Sequence, residues 1–135
     1  MTKSGVYKEP LPCGGDLCVE PARWKIQYYF KGPDLRYSGT FVEIPGDKVE
    51  AYIQGYLEAW DEFIRLKELV PAGGEFEKDG KLGMSIRIGK YHEGVCINSY
   101  HMPIATKDHL DRVIEGYRYA IGRAGAIQTL LSSLS

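Results

Sequence analysis

Asp47 to Trp60 reads DKVEAYIQGYLEAW, and Asp108 to Ile121 reads DHLDRVIEGYRYAI. The second stretch repeats the first 61 positions later, from Asp47 to Asp108. Asp47/Asp108, Ile53/Ile114, Gly55/Gly116, Tyr56/Tyr117 and Ala59/Ala120 are identical, while Val49/Leu110, Glu50/Asp111 and Gln54/Glu115 keep chemical type. Both copies have helical periodicity. Val49, Tyr52, Ile53, Tyr56, Trp60, Phe63 and Ile64 recur at three- and four-residue steps, as do Leu110, Val113, Ile114, Tyr117, Ile121 and Ala124. Asp47 with Glu50 forms a capping-box-like start, and Thr106 or Asp108 caps the second copy. The first helix is predicted to end near Leu69, because Pro71, Gly73 and Gly74 follow. Gly55 and Gly116 each cost about 1 kcal/mol relative to alanine inside a helix, so their equivalence argues for close packing there.

Each copy is preceded by alternating residues. Trp24, Ile26, Tyr28 and Phe30 share one face of a strand, and Lys25, Gln27, Tyr29 and Lys31 the other. Gly32-Pro33-Asp34 supplies a turn, and pairing Phe30 with Leu35 sets Tyr28 opposite Tyr37, Ile26 opposite Gly39 and Trp24 opposite Phe41. In the second half Leu82, Met84, Ile86 and Ile88 alternate with polar residues. The glycine-bounded GKYHEG then leads to a strand running from Val95 past Tyr100 to Pro103. Matching Ile88 with Val95 sets Ile86 by Ile97, Arg87 by Cys96 and Ser85 by Asn98.

The expected fold is therefore α+β: a two-layer sandwich from an internal duplication of a ββα unit. Its four-stranded antiparallel sheet carries two helices on one face. One domain, 1–135, is expected. It comprises an N-terminal arm at 1–22, rich in Pro and Gly; a first ββα unit at 23–70; a connection at 71–81; a second ββα unit at 82–124; and a short C-terminal helix at 125–135. The last helix is separated from the second copy by Gly122 and Gly125.

With 135 residues, a formal charge of −1 and 26% charged residues, overall charge directs the chain to neither nucleic acid nor membrane. No window approaches the ~20 apolar residues of a membrane span, and MTKSGVYKEPLPCGG lacks the apolar run of a signal peptide. The expected location is the cytoplasm. Three cysteines, Cys13, Cys18 and Cys96, are an odd set best read as reduced thiols. Cys13 and Cys18 are near enough in CGGDLC to face each other across a turn. With His92, His101 and His109 they match no standard zinc spacing, so no metal and no cofactor are assigned.

No P-loop, dinucleotide fingerprint, nucleophile elbow or HExxH is present. The nearest thing to a catalytic constellation is His92-Glu93 with Cys96 and His101, a thiol and imidazole of the kind that act as nucleophile and base. In the expected register these groups do not converge.

Function then falls to what the helices leave uncovered, the outer sheet face. Its candidate binding residues are Lys25, Tyr29, Arg36, Arg87, Asn98 and Tyr100, with three cations and no carboxylate. The primary expectation is a non-enzymatic binding or adaptor protein, meeting a protein partner or a second copy of itself through this face or the C-terminal helix. The first alternative is single-stranded nucleic acid, because bases stack on tyrosines while Lys and Arg meet phosphates. Repeated strand–helix units with an open sheet are similar in broad outline to the PUR- and Whirly-type single-strand binders. Those set four strands before each helix, where two are read here. The second alternative is a small-ligand-binding domain, with the ligand held between sheet and helices by Tyr28, Tyr37, Tyr52 and Tyr56, or a small enzyme, a hydrolase or transferase, using the His92/Cys96 loop.

Overall fold

The computed structural model describes residues 6–12, 14–31, 38–89, 93–97 and 101–134, without the side chains of 29–31, 38–41, 101 and 102. Its strands are β1 (Tyr7–Pro10), β2 (Asp16–Val19), β3 (Trp24–Lys31), β4 (Ser38–Pro45), β5 (Phe76–Asp79), β6 (Met84–Ile88), β7 (Gly94–Ile97) and β8 (His101–Ile104). Helix α1 (Val49–Leu69) follows β4, and α2 (Lys107–Leu134) follows β8. The α+β class holds. The expected single sheet is replaced by two antiparallel sheets of four strands, in the orders β1-β2-β3-β4 and β5-β6-β7-β8.

The additional strands come from the segments expected as an N-terminal arm, extended or a short irregular hairpin outside the core, and as a connection. Strands β1 and β2 pair antiparallel, and between them Leu11 N–H donates to Gly15 O (2.9 Å) and Gly14 N–H to Leu11 O (3.0 Å). Gly14 and Gly15 have φ of +96° and +80°, the left-handed region that glycine enters without steric cost. Leu11, Leu17 and Val19 are buried, so this arm belongs to the core. Pro10 is tolerated because β1 is an edge strand. In the expected connection 71–81, β5 pairs Phe76 with Ile88 and Lys78 with Ile86.

Both hairpin registers differ from expectation. Ile26 pairs with Ile44 and Tyr28 with Val42, five residues from the expected Gly39 and Tyr37. A bulge between Tyr28 and Tyr29 skips Phe41 and restores phase for Phe30 opposite Gly39. This odd displacement turns Val42 and Ile44 into the core, while Tyr37 and the Phe41 side chain lie outside the described residues. In the second hairpin Ile86 pairs with Val95 and Met84 with Ile97. That displacement is two residues, so every side chain keeps its expected face. The strand expected from Val95 past Tyr100 is divided into β7 and β8, with residues 98–100 outside the described ones.

The chain forms two compact units, one of Met1–Val49 with Arg112–Ser135 and the other of Glu50–Asp111. In the first, α2 covers the Leu17/Ile26/Tyr28/Ile44 face of sheet β1–β4. Tyr117 and Tyr28 share a buried hydroxyl hydrogen bond of 2.7 Å. Near the rim, Arg123 donates to Glu9 (2.8 Å) and Tyr7 (3.2 Å), and the carboxylate raises the guanidinium pKa. In the second, α1 packs on the Met84/Ile86 face of sheet β5–β8. A Cβ on Gly55 would lie 3.1 Å from Met84 Sδ, which is the close approach that the glycine permits.

The chain enters α1 through a 3-10 turn at Gly46–Lys48 that carries no side-chain cap, in place of the expected Asp47 box. At α2, Thr106 Oγ1 accepts from His109 N–H (3.1 Å) and is the cap. The expected break near residue 124 is absent: α2 runs on to Leu134. Gly122 and Gly125 are tolerated because burial of Ala124 and Ile127 holds the helix down.

Candidate binding face on the first sheet

The first sheet has a second, polar face. Cross-strand register places Lys8, Cys18 and Lys25 side by side, and Asp16, Gln27 and Glu43 in the next row. Directly opposed residues share a face, so these six side chains form one patch.

A chain of hydrogen bonds runs across it. Cys18 Sγ–H donates to Gln27 Oε1 at 3.2 Å, and Gln27 Nε2–H donates to Glu43 Oε1 at 2.8 Å. Lys25 Nζ donates to the same carboxylate oxygen at 3.1 Å. These two donors, Gln27 first, hold the Glu43 carboxyl below its ordinary range. Lys8 Nζ lies 3.7 Å from Asp16, and Arg23 Nε 3.0 Å from Glu20. Beside the patch lies an open groove of about 1190 Å³, lined in part by Lys8, Arg23, Trp24, Lys25 and Gln128. Trp24 lies against Gly46, where a Cβ would come within 2.4 Å of the indole.

The charge balance differs from the expected cationic face. Asp16 and Glu43 give each of Lys8 and Lys25 a carboxylate partner. Sequence reasoning missed Asp16 because β2 was not recognised, and Glu43 because the register was displaced. The alternation Val42-Glu43-Ile44 was the available signal for the second. Since Lys25 and Glu43 side chains remain 39% and 48% exposed, their ion pair is worth only about 0.2–1 kcal/mol and exchanges readily.

The six expected binding residues do not share one sheet. Lys25 is in this patch. Tyr29 is paired with Thr40 in β3, its side chain outside the described residues, as are Arg36, Asn98 and Tyr100 altogether. Arg87 belongs to β6 of the other sheet, is buried, and lies 2.6 Å from Glu77. Its neighbours Ser85 and Cys96 are buried as well, so the expected open outer face is closed there. The physical reason is that β6 and β7 are buried along their whole length, on both faces.

The remaining chemistry is limited. Burial pushes the Cys18 and Cys96 thiols up from their ordinary 9.0, so both stay protonated at neutral pH. His92, Cys13 and the His101 side chain lie outside the described residues. Among the described residues, no group of three His, Cys, Asp or Glu is placed to hold a metal, and no helix is long and apolar enough to cross a membrane. Tyr28 and Tyr56 are buried, which commits them to the core, and Tyr37 lies outside the described residues. Comparison with known proteins gives no match: no protein family, no curated protein and no solved structure corresponds to this chain.

Proposed function

We propose that the chain is a non-enzymatic binding protein whose working surface is the polar face of the first sheet, and that its partner is a protein segment carrying both signs of charge. One observation carries this reading: the pattern of exchangeable ion pairs Lys8–Asp16 and Lys25–Glu43 beside a groove containing Trp24. Such pairs can trade their internal partner for an external one at little cost, and an aromatic side chain supplies apolar contact area. A balanced face fits a mixed-charge partner better than a polyanion, which must displace Asp16 and Glu43. The free thiols Cys18 and Cys96 support a reducing, cytoplasmic setting as part of the proposal.

The test is affinity capture with wild type, Lys8→Glu/Lys25→Glu and, as a charge-reversal control in the second unit, Arg65→Glu. The expected result is a partner retained by wild type and the control but lost with the double reversal. Identical partners on all three baits refute the assignment of this face.

A second reading, single-stranded nucleic acid, is favoured by the four-strands-then-helix order of both halves, the count found in PUR- and Whirly-type binders. With the repeat at a 61-residue offset, that order supports duplication of a ββββα unit. Fluorescence anisotropy with labelled single-stranded oligonucleotides decides this reading. Salt-sensitive binding lost in Lys25→Glu supports it, and no binding at low salt removes it. Leu130 and Leu134, 59% and 74% exposed and one turn apart on α2, keep a second copy of the chain among the partners. Sedimentation of Leu130→Glu/Leu134→Glu against wild type tests that contact.

A further inference from the structure

The second unit contains a cleft independent of the polar face. It has a volume of about 470 Å³, with Gly55, Glu58, Ala59 and Glu62 of α1 on one wall and Lys78, Lys81 and Met84 on the other. We propose that this cleft binds a small zwitterion with an apolar side chain, an amino acid or dipeptide.

The helix wall follows from sequence spacing. Positions 55, 58, 59 and 62 lie on one stripe of α1, and two of them carry little or no side chain. At Gly55 the helix lies close to Met84, and one turn on Ala59 contributes only a methyl group. The opposite wall is shaped by the 3-10 turn Lys81–Gly83, where Gly80 N–H donates to Met84 O (2.7 Å). In that turn Leu82 has φ of +59°, a left-handed conformation costly for a branched side chain. This strained backbone holds Lys81 at the cleft.

Charge identifies the ligand. Glu62 and Lys78, from opposite walls, form an ion pair. Glu58 and Lys81 also come from opposite walls, and among the described residues neither makes an ion pair. Met84, Ile86 and Ala59 add apolar atoms to the lining of the same cleft. A ligand ammonium therefore meets Glu58, its carboxylate meets Lys81, and its side chain lies on the apolar floor. Pockets of this kind combine mostly apolar walls with a few polar groups that fix orientation.

Isothermal titration calorimetry with L-leucine, L-methionine and leucyl-leucine tests the proposal, the dipeptide probing a wider charge separation. At least one probe is expected to bind, with N-acetyl-leucine amide about tenfold weaker because it lacks both charges. Lys81→Glu and Glu58→Lys each weaken binding about tenfold, the double reversal recovers part of it, and Ala59→Leu abolishes it by filling the cleft. Glu58 and Lys81 are exposed, so their variants retain the fold, which circular dichroism checks. No heat from any probe at about 10 mM, or binding insensitive to both charge reversals, overturns the assignment.

Discussion

Gly94→Ala is expected to be among the most damaging single-methyl changes in the second sheet. Gly94 opens β7 with φ of +134°, and a Cβ there would lie 2.4 Å from the carbonyl oxygen of Ile104 and 2.8 Å from its carbon. Both are backbone atoms of the paired strand, so no rotamer change relieves the clash. Forcing an L residue into that region costs about 1–3 kcal/mol. Moving β8 away weakens the Val95–Ile104 pairing, at about 0.5–1.5 kcal/mol per hydrogen bond. The sum is about 3 kcal/mol, a large share of the ~5–15 kcal/mol of a typical domain. Urea unfolding followed by far-ultraviolet circular dichroism measures it; with a slope of about 2 kcal/mol/M, the midpoint falls by about 1.5 M. Gly122→Ala is the opposite-sign control. It is a helix-interior glycine with nothing within 4 Å of the added methyl, so it gains about 0.5–1 kcal/mol. A Gly94→Ala midpoint within about 0.5 M of wild type, about 1 kcal/mol at that slope, refutes the β7–β8 packing described above.

Three further outcomes follow from the same geometry. Cys18 and Cys96, buried and raised in pKa, are expected to alkylate about a hundredfold slower in the native protein than in denaturant, mapped by mass spectrometry; equal rates contradict their burial. Glu43 is held below its ordinary 4.5, so its contribution to stability is present above that pH and is lost as pH falls through the lowered value. Glu43→Gln therefore shows a smaller drop in urea midpoint between neutral and acidic pH than wild type, and an unchanged drop removes the Gln27–Glu43–Lys25 network from the account. Tyr117→Phe removes the hydroxyl paired with Tyr28 and is expected to cost about 1 kcal/mol, with a non-additive double cycle against Tyr28→Phe; full additivity rejects the pair.

Legibility in the sequence tracked how local each signal was. Helix α1 ends at Leu69 as expected, because its stripe and the Pro71-Gly73-Gly74 stop lie in one continuous window. Of the two candidate residues whose side chains are described, Lys25 lies on the face that carries the groove and Arg87 lies in the other sheet. Arg87 has the strand alternation of a surface residue, yet nothing within β6 states that its outward face is buried.

By itself, then, the sequence determined the two helical stripes, the inward set Ile26, Tyr28, Met84 and Ile86, and the α+β class, because side-chain period is a property of a few adjacent residues. Only the tertiary structure decided that there are two sheets rather than one, and that DLCV and FEKD are strands. It also decided that α2 covers the sheet at the other end of the chain, and that Asp16 and Glu43 neutralise the Lys8 and Lys25 face. The physical reason is common to all of these: a four-residue strand is extended only because a neighbour takes its hydrogen bonds, and which neighbour does so is settled by pairing between distant segments.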